Sequence, residues 1–234
     1  KVIHMREILI LGASSGIGLN LTNKLLKNGH RVFATYCKNT IKISHPNLIT
    51  GFFDIQNSNT FDFELPEKLD GFVYCPGTIN LKPFRSLKQD DFELDFHVNV
   101  LGFIKSLQLL LKPLKKSNLS SVLGFSSVCA QSGFNFHAST ATSKAALEGL
   151  FTSLAKEYAP KILFNIIAPS IIESPLSQHL LNTEDKIERI ASTHPIPRIG
   201  QPDDIANIAH HILIESSWMT GQIIKVDGGK SKLL

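Results

Sequence analysis

Residues 12–18 read Gly-Ala-Ser-Ser-Gly-Ile-Gly, with three glycines spaced GxxxGxG directly after an apolar run. Gly12, Gly16 and Gly18 suit the binding of a diphosphate. Glycine lets the backbone turn tightly and approach a phosphate group with no Cβ in the way. Ser14, Ser15 and Ile17 complete the turn. A helix that starts there offers unpaired N–H groups and the positive end of its dipole to the anion. A glycine trio alone is weak; the signal gains weight when a strand precedes it and a helix follows.

The flanking sequence supplies both. Residues 7–11 (EILIL) read as a buried strand, and Ile17, Leu21 and Leu25 fall four apart in a helical stripe that stops at Asn28-Gly29. Further apolar runs at 31–35, 48–53, 71–75, 121–126, 162–167 and 222–226 read as strands. Phe92, Phe96, Val100, Phe103, Leu107 and Leu111 recur at spacings of three or four, which predicts one long helix over 92–114. Residues 138–158 and 203–214 also read as helices. Strands separated by helices imply parallel pairing and right-handed crossovers. The expected fold class is α/β, a single Rossmann-type doubly wound parallel sheet of about seven strands with helices on both faces, over residues 5–234.

Residues 1–4, ahead of Met5, are as readily a remnant preceding the fold as a part of it. The connection 36–47 includes Pro46 and barely accommodates a crossover helix, so that sheet edge is expected to be thinly covered. Segment 176–200 is polar and bracketed by Pro175, Pro195 and Pro197; it reads as a substrate lid, with a plain surface helix as the alternative.

Composition excludes several classes. The balance of 24 basic and 20 acidic residues is too even and too scattered for a nucleic-acid or polybasic membrane binder. Cys37, Cys75 and Cys129 form no CxxC pair and no ligand cluster, which argues against disulfides and a metal site and suits a reducing, cytoplasmic compartment. Apolar stretches fall well short of the ~20 residues a membrane span needs, and no secretory pattern opens the chain.

More of the chain carries specific motifs. Asp54 follows the third strand, Asn99 lies in HVNV, Ser127 in GFSSV and Lys144 in TSKAALEGL. Pro169 opens PSIIESP, which contains Ile172 and Ser174, and residues 197–229 end in PRIGQPDDIANIAHHILIESSWMTGQIIKVDGG. With its glycine turn, the chain resembles the short-chain dehydrogenase/reductase family over residues 7–229, most closely 3-oxoacyl-carrier-protein-reductase-like members. The family turn reads TGxxxGIG, and here Leu11 replaces the threonine.

The resemblance implies reversible hydride transfer between a nicotinamide cofactor and a carbonyl or alcohol substrate. It would put the diphosphate on Gly12, Gly16 and Gly18, and the adenine on Asp54 and the Ile55 backbone. Lys144 would bind the nicotinamide ribose, Ser127 would orient the substrate oxygen, and Asn99 would hold a relay water. Ile172 and Ser174, after Pro169, would take the carboxamide, and Gly77 would keep the close backbone approach of the family's NNAG turn, here Tyr74-Cys75-Pro76-Gly77.

One departure matters most. The family's acid/base is a tyrosine four residues before the lysine; that position is Thr140. A phenol near an ammonium can exchange protons with a substrate, whereas an aliphatic hydroxyl cannot be brought into range. His137 is the one titratable neighbour, more simply a polar loop residue than a replacement acid. Two functional readings follow: an oxidoreductase with altered acid/base, or a catalytically silent dinucleotide-binding homologue acting as sensor, scaffold or inactive subunit.

For the cofactor, the end of the second strand carries Tyr36, Cys37 and Lys38 and no acid. A carboxylate there would read the ribose 2′-hydroxyl of NAD. Lys38 suits a 2′-phosphate, and NADP(H) is favoured over NAD(H), although Ser15 stands where many NADP users of the family carry a basic residue. The resemblance also implies a homodimer or homotetramer through helices 92–114 and 138–158.

Overall fold

Seven strands form among residues 4–233, those the computed structural model describes. They are β1 (Glu7–Leu11), β2 (Arg31–Tyr36), β3 (Leu48–Phe52), β4 (Gly71–Tyr74), β5 (Ser120–Phe125), β6 (Ile162–Pro169) and β7 (Ile223–Val226). All pair in parallel, in the order β3-β2-β1-β4-β5-β6-β7. The order reverses between β1 and β4, and in such sheets the crevice beyond the strand C-termini at that point receives ligands. β4, β5 and β6 are buried along their whole length, as expected for a parallel sheet covered on both faces.

Each face has its own core. On one side Ile8, Ile10, Val73 and Leu123 meet Leu21 and Leu25 of α1 (Gly16–Lys27) and Ile205, Ala209 and Ile212 of α7 (Pro202–Ile214). On the other, Leu9, Phe72, Val122 and Phe164 pack against Phe103, Leu107 and Leu110 of α3 (Gly102–Lys116) and Leu147 and Phe151 of α5 (Ala138–Tyr158). The strands and α1, α5 and α7 match the positions expected from the sequence to within two residues, and the single α/β domain is observed.

The expected uninterrupted helix over 92–114 is corrected. It is α2 (Gln89–Phe96), a π-helical turn His97–Leu101, and α3. The wide turn frees a backbone carbonyl, and the phenol of Tyr74 donates to Val98 O at 2.6 Å. The run Gln89–Lys116 is, among the described residues, apolar and long enough to cross a membrane, with a mean hydropathy of 1.2 in its best window. Its continuous apolar stretches are short, as expected, broken by Asn99, Lys105, Gln108 and Lys112, and its Phe103, Leu107, Leu110 and Leu114 belong to the core.

Alternation of strand and helix also fails at one edge. No helix links β2 to β3, as the short connection predicted, and none links β3 to β4. Aromatic side chains cover that edge instead: Phe61 stacks on Phe53 at 4.5 Å, and Phe63 lies 5.4 Å from Phe61 and 5.9 Å from Phe33. Segment 176–200 contains a short 3-10 turn, Gln178–Leu180, and α6 (Glu184–Ala191). Thr183 caps α6 by accepting from the Lys186 N–H. Residues 1–3 and 234, at the ends of the expected domain and remnant, lie outside the described residues.

Candidate active site

Gly12 and Gly16 carry φ of +76° and +52°, the left-handed region that glycine enters without strain. Gly18 is glycine for a different reason: a Cβ there would overlap the carbonyl oxygen of Gly12. The residue ahead of α1, Ser15, makes no side-chain cap, so the first N–H groups of the helix face outward without a side-chain partner. This cradle suits a diphosphate. Gly16 also lets Ser174 come close, since its Cβ position lies 3.3 Å from that of Ser174.

The cradle opens into a cleft of about 530 Å³ lined by Gly12, Ser15, Gly16, Ile17 and Gly18 on one side and by Gly77, Ser127, Thr140 and Lys144 on another. Pro169, Ile172 and Ser174 form a third wall, and residues of segment 176–200 close the top. Ile172 is held by a bridge to Gly200, and Ser174 Oγ lies 3.2 Å from Ser177 Oγ. These residues, scattered over about 160 positions of the sequence, face one space, whereas Ser14, Tyr36, Lys38, Asp54, Ile55 and Asn99 do not line it.

Asn99 sits within the π-helical turn and is fully buried. Its amide nitrogen donates to Thr78 Oγ1 at 3.0 Å and Ser143 Oγ at 2.9 Å, which fixes the amide orientation. Its Oδ1 has no partner. That oxygen and Lys144 Nζ each lie 3.4 Å from the position a Cβ on Gly77 would take, so glycine leaves the gap between them open. A buried acceptor facing a buried ammonium across a gap suits a bridging water.

Lys144 donates to Phe125 O at 2.8 Å. Burial lowers its pKa from 10.5 to about 8, opposed by the charges of Cys129, Asp95 and Cys75. Cys75 is pushed by burial up to about 12, which keeps it a thiol. Ser127 Oγ lines the cleft and accepts a long contact, 3.4 Å, from the N–H of Cys129, the first residue of α4 (Cys129–Ser132).

Thr140 is turned to a different task. Its Oγ1 accepts from the Asn80 N–H at 3.1 Å and lies 3.4 Å from Asp95 Oδ2, tying α5 to the β4–α2 connection. Asp95 is fully buried and also accepts from Ser139 Oγ at 2.6 Å. His137 lines the cleft, but its Nδ1 donates to Asn135 O at 2.7 Å and its ring packs on Phe134.

Asp54 accepts from the Gln56 N–H at 2.9 Å and from Asn57 Nδ2 at 2.8 Å, and these bonds hold its carboxyl below the usual carboxylate range. It is first a turn-former, with lone pairs to spare. Ile55 packs against Gly102 in α3. Tyr36 ends β2 with its ring edge-on to Phe52. Lys38 lines a second, open depression of about 550 Å³ beside the glycine turn, together with Ser14 and Lys42. Lys42, Thr78, Ser143, Tyr74 and Asp95 were not legible as site residues, because each acts through a partner more than twenty positions away or through a loop of no regular pattern.

A family model described as enoyl-(acyl carrier protein) reductase matches residues 59–231. A 3-oxoacyl-[acyl-carrier-protein] reductase from Thermotoga maritima is 30% identical over 94% of this chain and 96% of its own length. A tropinone reductase homolog from Arabidopsis thaliana is 29% identical, covering 94% of this chain and 78% of the relative. Among solved structures, a Pseudomonas aeruginosa RhlG/NADP active-site complex superposes with a TM-score of 0.87 at 27% identity, over 97% of this chain and 96% of that one. With the 3-2-1-4-5-6-7 sheet, the glycine cradle and the buried Asn–Lys pair, these matches establish that the chain belongs to the short-chain dehydrogenase/reductase family of oxidoreductases.

Proposed function

We propose that the protein binds NADP(H) in preference to NAD(H) and transfers hydride to and from a small carbonyl or alcohol substrate, with proton delivery weakened by Thr140. The observation that carries this reading is the convergence of Ser127 and Lys144 on one cleft beside the glycine cradle, with Asn99 buried next to Lys144 behind Gly77. The RhlG relative, an NADP complex, supports the cofactor class.

Bound reduced nicotinamide supplies the hydride. Gly12, Gly16 and Gly18 hold the diphosphate, with Ser14, Ser15 and Ile17 completing the cradle, and Asp54 and the Ile55 backbone border the adenine. Pro169, Ile172 and Ser174 orient the carboxamide, and Gly77 gives the backbone close approach. Lys144 holds the ribose hydroxyls and places a positive charge beside the reacting oxygen, which Ser127 orients. Asn99 Oδ1 holds a water toward Lys144. Segment 176–200 serves as the lid that excludes solvent. Exposed Leu94 and Phe96 on α2 and Leu101 in the π turn support a homo-oligomer joined through helices 92–114 and 138–158. The unpaired Cys37, Cys75 and Cys129 suit the cytoplasm.

NADP preference is supported by the second depression, which Lys38 and Lys42 line without any carboxylate. Replacing both lysines with glutamine is expected to weaken NADPH binding about tenfold and leave NADH binding unchanged, measured by nucleotide fluorescence. Equal losses for both nucleotides would show that the lysines do not read the 2′-phosphate.

The Lys144 ammonium gives a pH dependence. Its proton leaves near pH 8 in the folded protein, against an ordinary 10.5 in the unfolded chain. Raising the pH from 7 to 9 therefore removes its charge and is expected to weaken NADPH binding several-fold; Lys144→Met should flatten that profile. Across the same interval the unfolded chain holds more protons, so this group's contribution to stability rises with pH from 8 toward 10.5.

The bond from the Asn80 N–H to Thr140 favours a second reading, a dinucleotide-binding homologue without turnover. NADPH titration followed by NADPH consumption with a panel of ketones and acyl thioesters separates the two. Binding with no consumption by either the wild type or Thr140→Tyr selects the silent protein.

A further inference from the structure

The cleft is charged at the end away from the glycine turn. α6 sorts its residues: Lys186, Arg189 and Ile190 line the cleft, continued by Thr193 and His194, whereas Glu184, Asp185 and Glu188 do not. These lining positions recur at three and four, so one helical face carries the cations inward. Lys230, from the C-terminal end of the chain, joins them by donating to Thr193 O at 3.0 Å. Its ammonium also lies 5.8 Å from the Phe134 ring, which packs on His137 beside Thr140. That contact places Lys230 on the side of the cleft where α5 begins, beside His137 and Thr140.

None of these three cations is balanced. Among the described residues no aspartate or glutamate lines the cleft, and no ion pair involves Lys186, Arg189 or Lys230. Lys186 Nζ bonds only a neutral amide oxygen, Asn182 Oδ1, at 2.8 Å. His194 is held in place by its two ring nitrogens, which bond Ile190 O and Ser170 Oγ at 2.9 and 2.8 Å. Three unpaired cations around one cleft favour an anionic ligand.

We propose that Lys186, Arg189 and Lys230 form an anion subsite, so that the substrate is a carbonyl compound carrying its own carboxylate or phosphate. This rests on the reading of the cleft as a nicotinamide-dependent carbonyl site, and it adds the substrate class.

The test uses the full chain saturated with NADP⁺, titrated calorimetrically. The probes are a series of straight-chain methyl-ketone acids from acetoacetate to 7-oxooctanoate and their methyl esters, and acetoacetyl-CoA against acetoacetyl-N-acetylcysteamine. At least one anion is expected to bind about tenfold or more tightly than its neutral counterpart. That preference should shrink at high salt. A preference among the acids identifies a carboxylate, and one confined to the CoA pair identifies a phosphate-bearing carrier. The triple variant Lys186→Gln, Arg189→Gln, Lys230→Gln should lose the preference and keep its affinity for NADPH. In wild-type protein that binds NADPH, equal binding of every charged and neutral pair overturns the subsite alone. A triple variant that loses NADPH instead assigns these cations to the cofactor and also overturns it. Wild-type protein that binds no nucleotide overturns the parent reading and the subsite with it.

Discussion

Thr140→Tyr is expected to raise turnover on at least one carbonyl substrate tenfold or more. Reduction of a carbonyl leaves charge on oxygen, and a proton must arrive there as the hydride reaches carbon. Loss of a positioned general acid typically costs about 10²–10⁴ in rate. Thr140 cannot supply that proton, since its hydroxyl is bonded to the Asn80 N–H and its alkoxide is far too basic for Lys144 to stabilise. A phenol at the same position would project from the N-terminal turn of α5 into the cleft, toward the space shared by Ser127 and Lys144. Its pKa lies close enough to that of Lys144 for the ammonium to matter. The check is NADPH consumption by both proteins under the same substrate panel. Ordinary rates from the wild type, with no gain from the tyrosine, would show that another group already delivers the proton.

Gly18→Val is expected to weaken NADPH binding about a hundredfold or more while the protein stays folded. Any Cβ at this position meets backbone, namely the Gly12 carbonyl oxygen and, at 3.1 Å, the Ala13 Cα. Backbone cannot rotate aside as a side chain can, so the cradle itself must shift. Overpacking of this kind costs about 1–3 kcal/mol in stability. The cradle positions several N–H groups at once, and displacing it removes them together. Nucleotide fluorescence titration gives the affinity, and circular dichroism with a thermal melt establishes that the variant is native. A folded variant that binds NADPH as the wild type does would remove the glycine turn from the site.

The elements were legible where one physical signal dominated. Continuous apolar runs marked the strands that are covered on both faces, and the four-residue spacing from Ile17 marked α1. The π turn in 97–101 was not legible in the periodicity, because Phe96, Val100 and Phe103 keep helical spacing through it. The aromatic cover formed by Phe61 and Phe63 was hidden in a polar segment, since alternate residues there face solvent. The groups that hold Asn99 and Thr140 escaped for another reason. Ser143 and Asp95 act through bonds spanning 44 and 45 positions, a distance at which sequence spacing carries no information. The departure at Thr140 was visible by counting back from Lys144, whereas its bond to Asn80 required the folded chain.

Calorimetric titration of NADPH and NADH into the purified, folded protein bears most directly on the reading as a whole. Saturable binding at one site per chain, tighter for NADPH, is the expected result. Heats indistinguishable from dilution for both nucleotides up to millimolar concentration would contradict it, because a glycine cradle that grips no dinucleotide leaves Ser127, Asn99 and Lys144 with no hydride to direct.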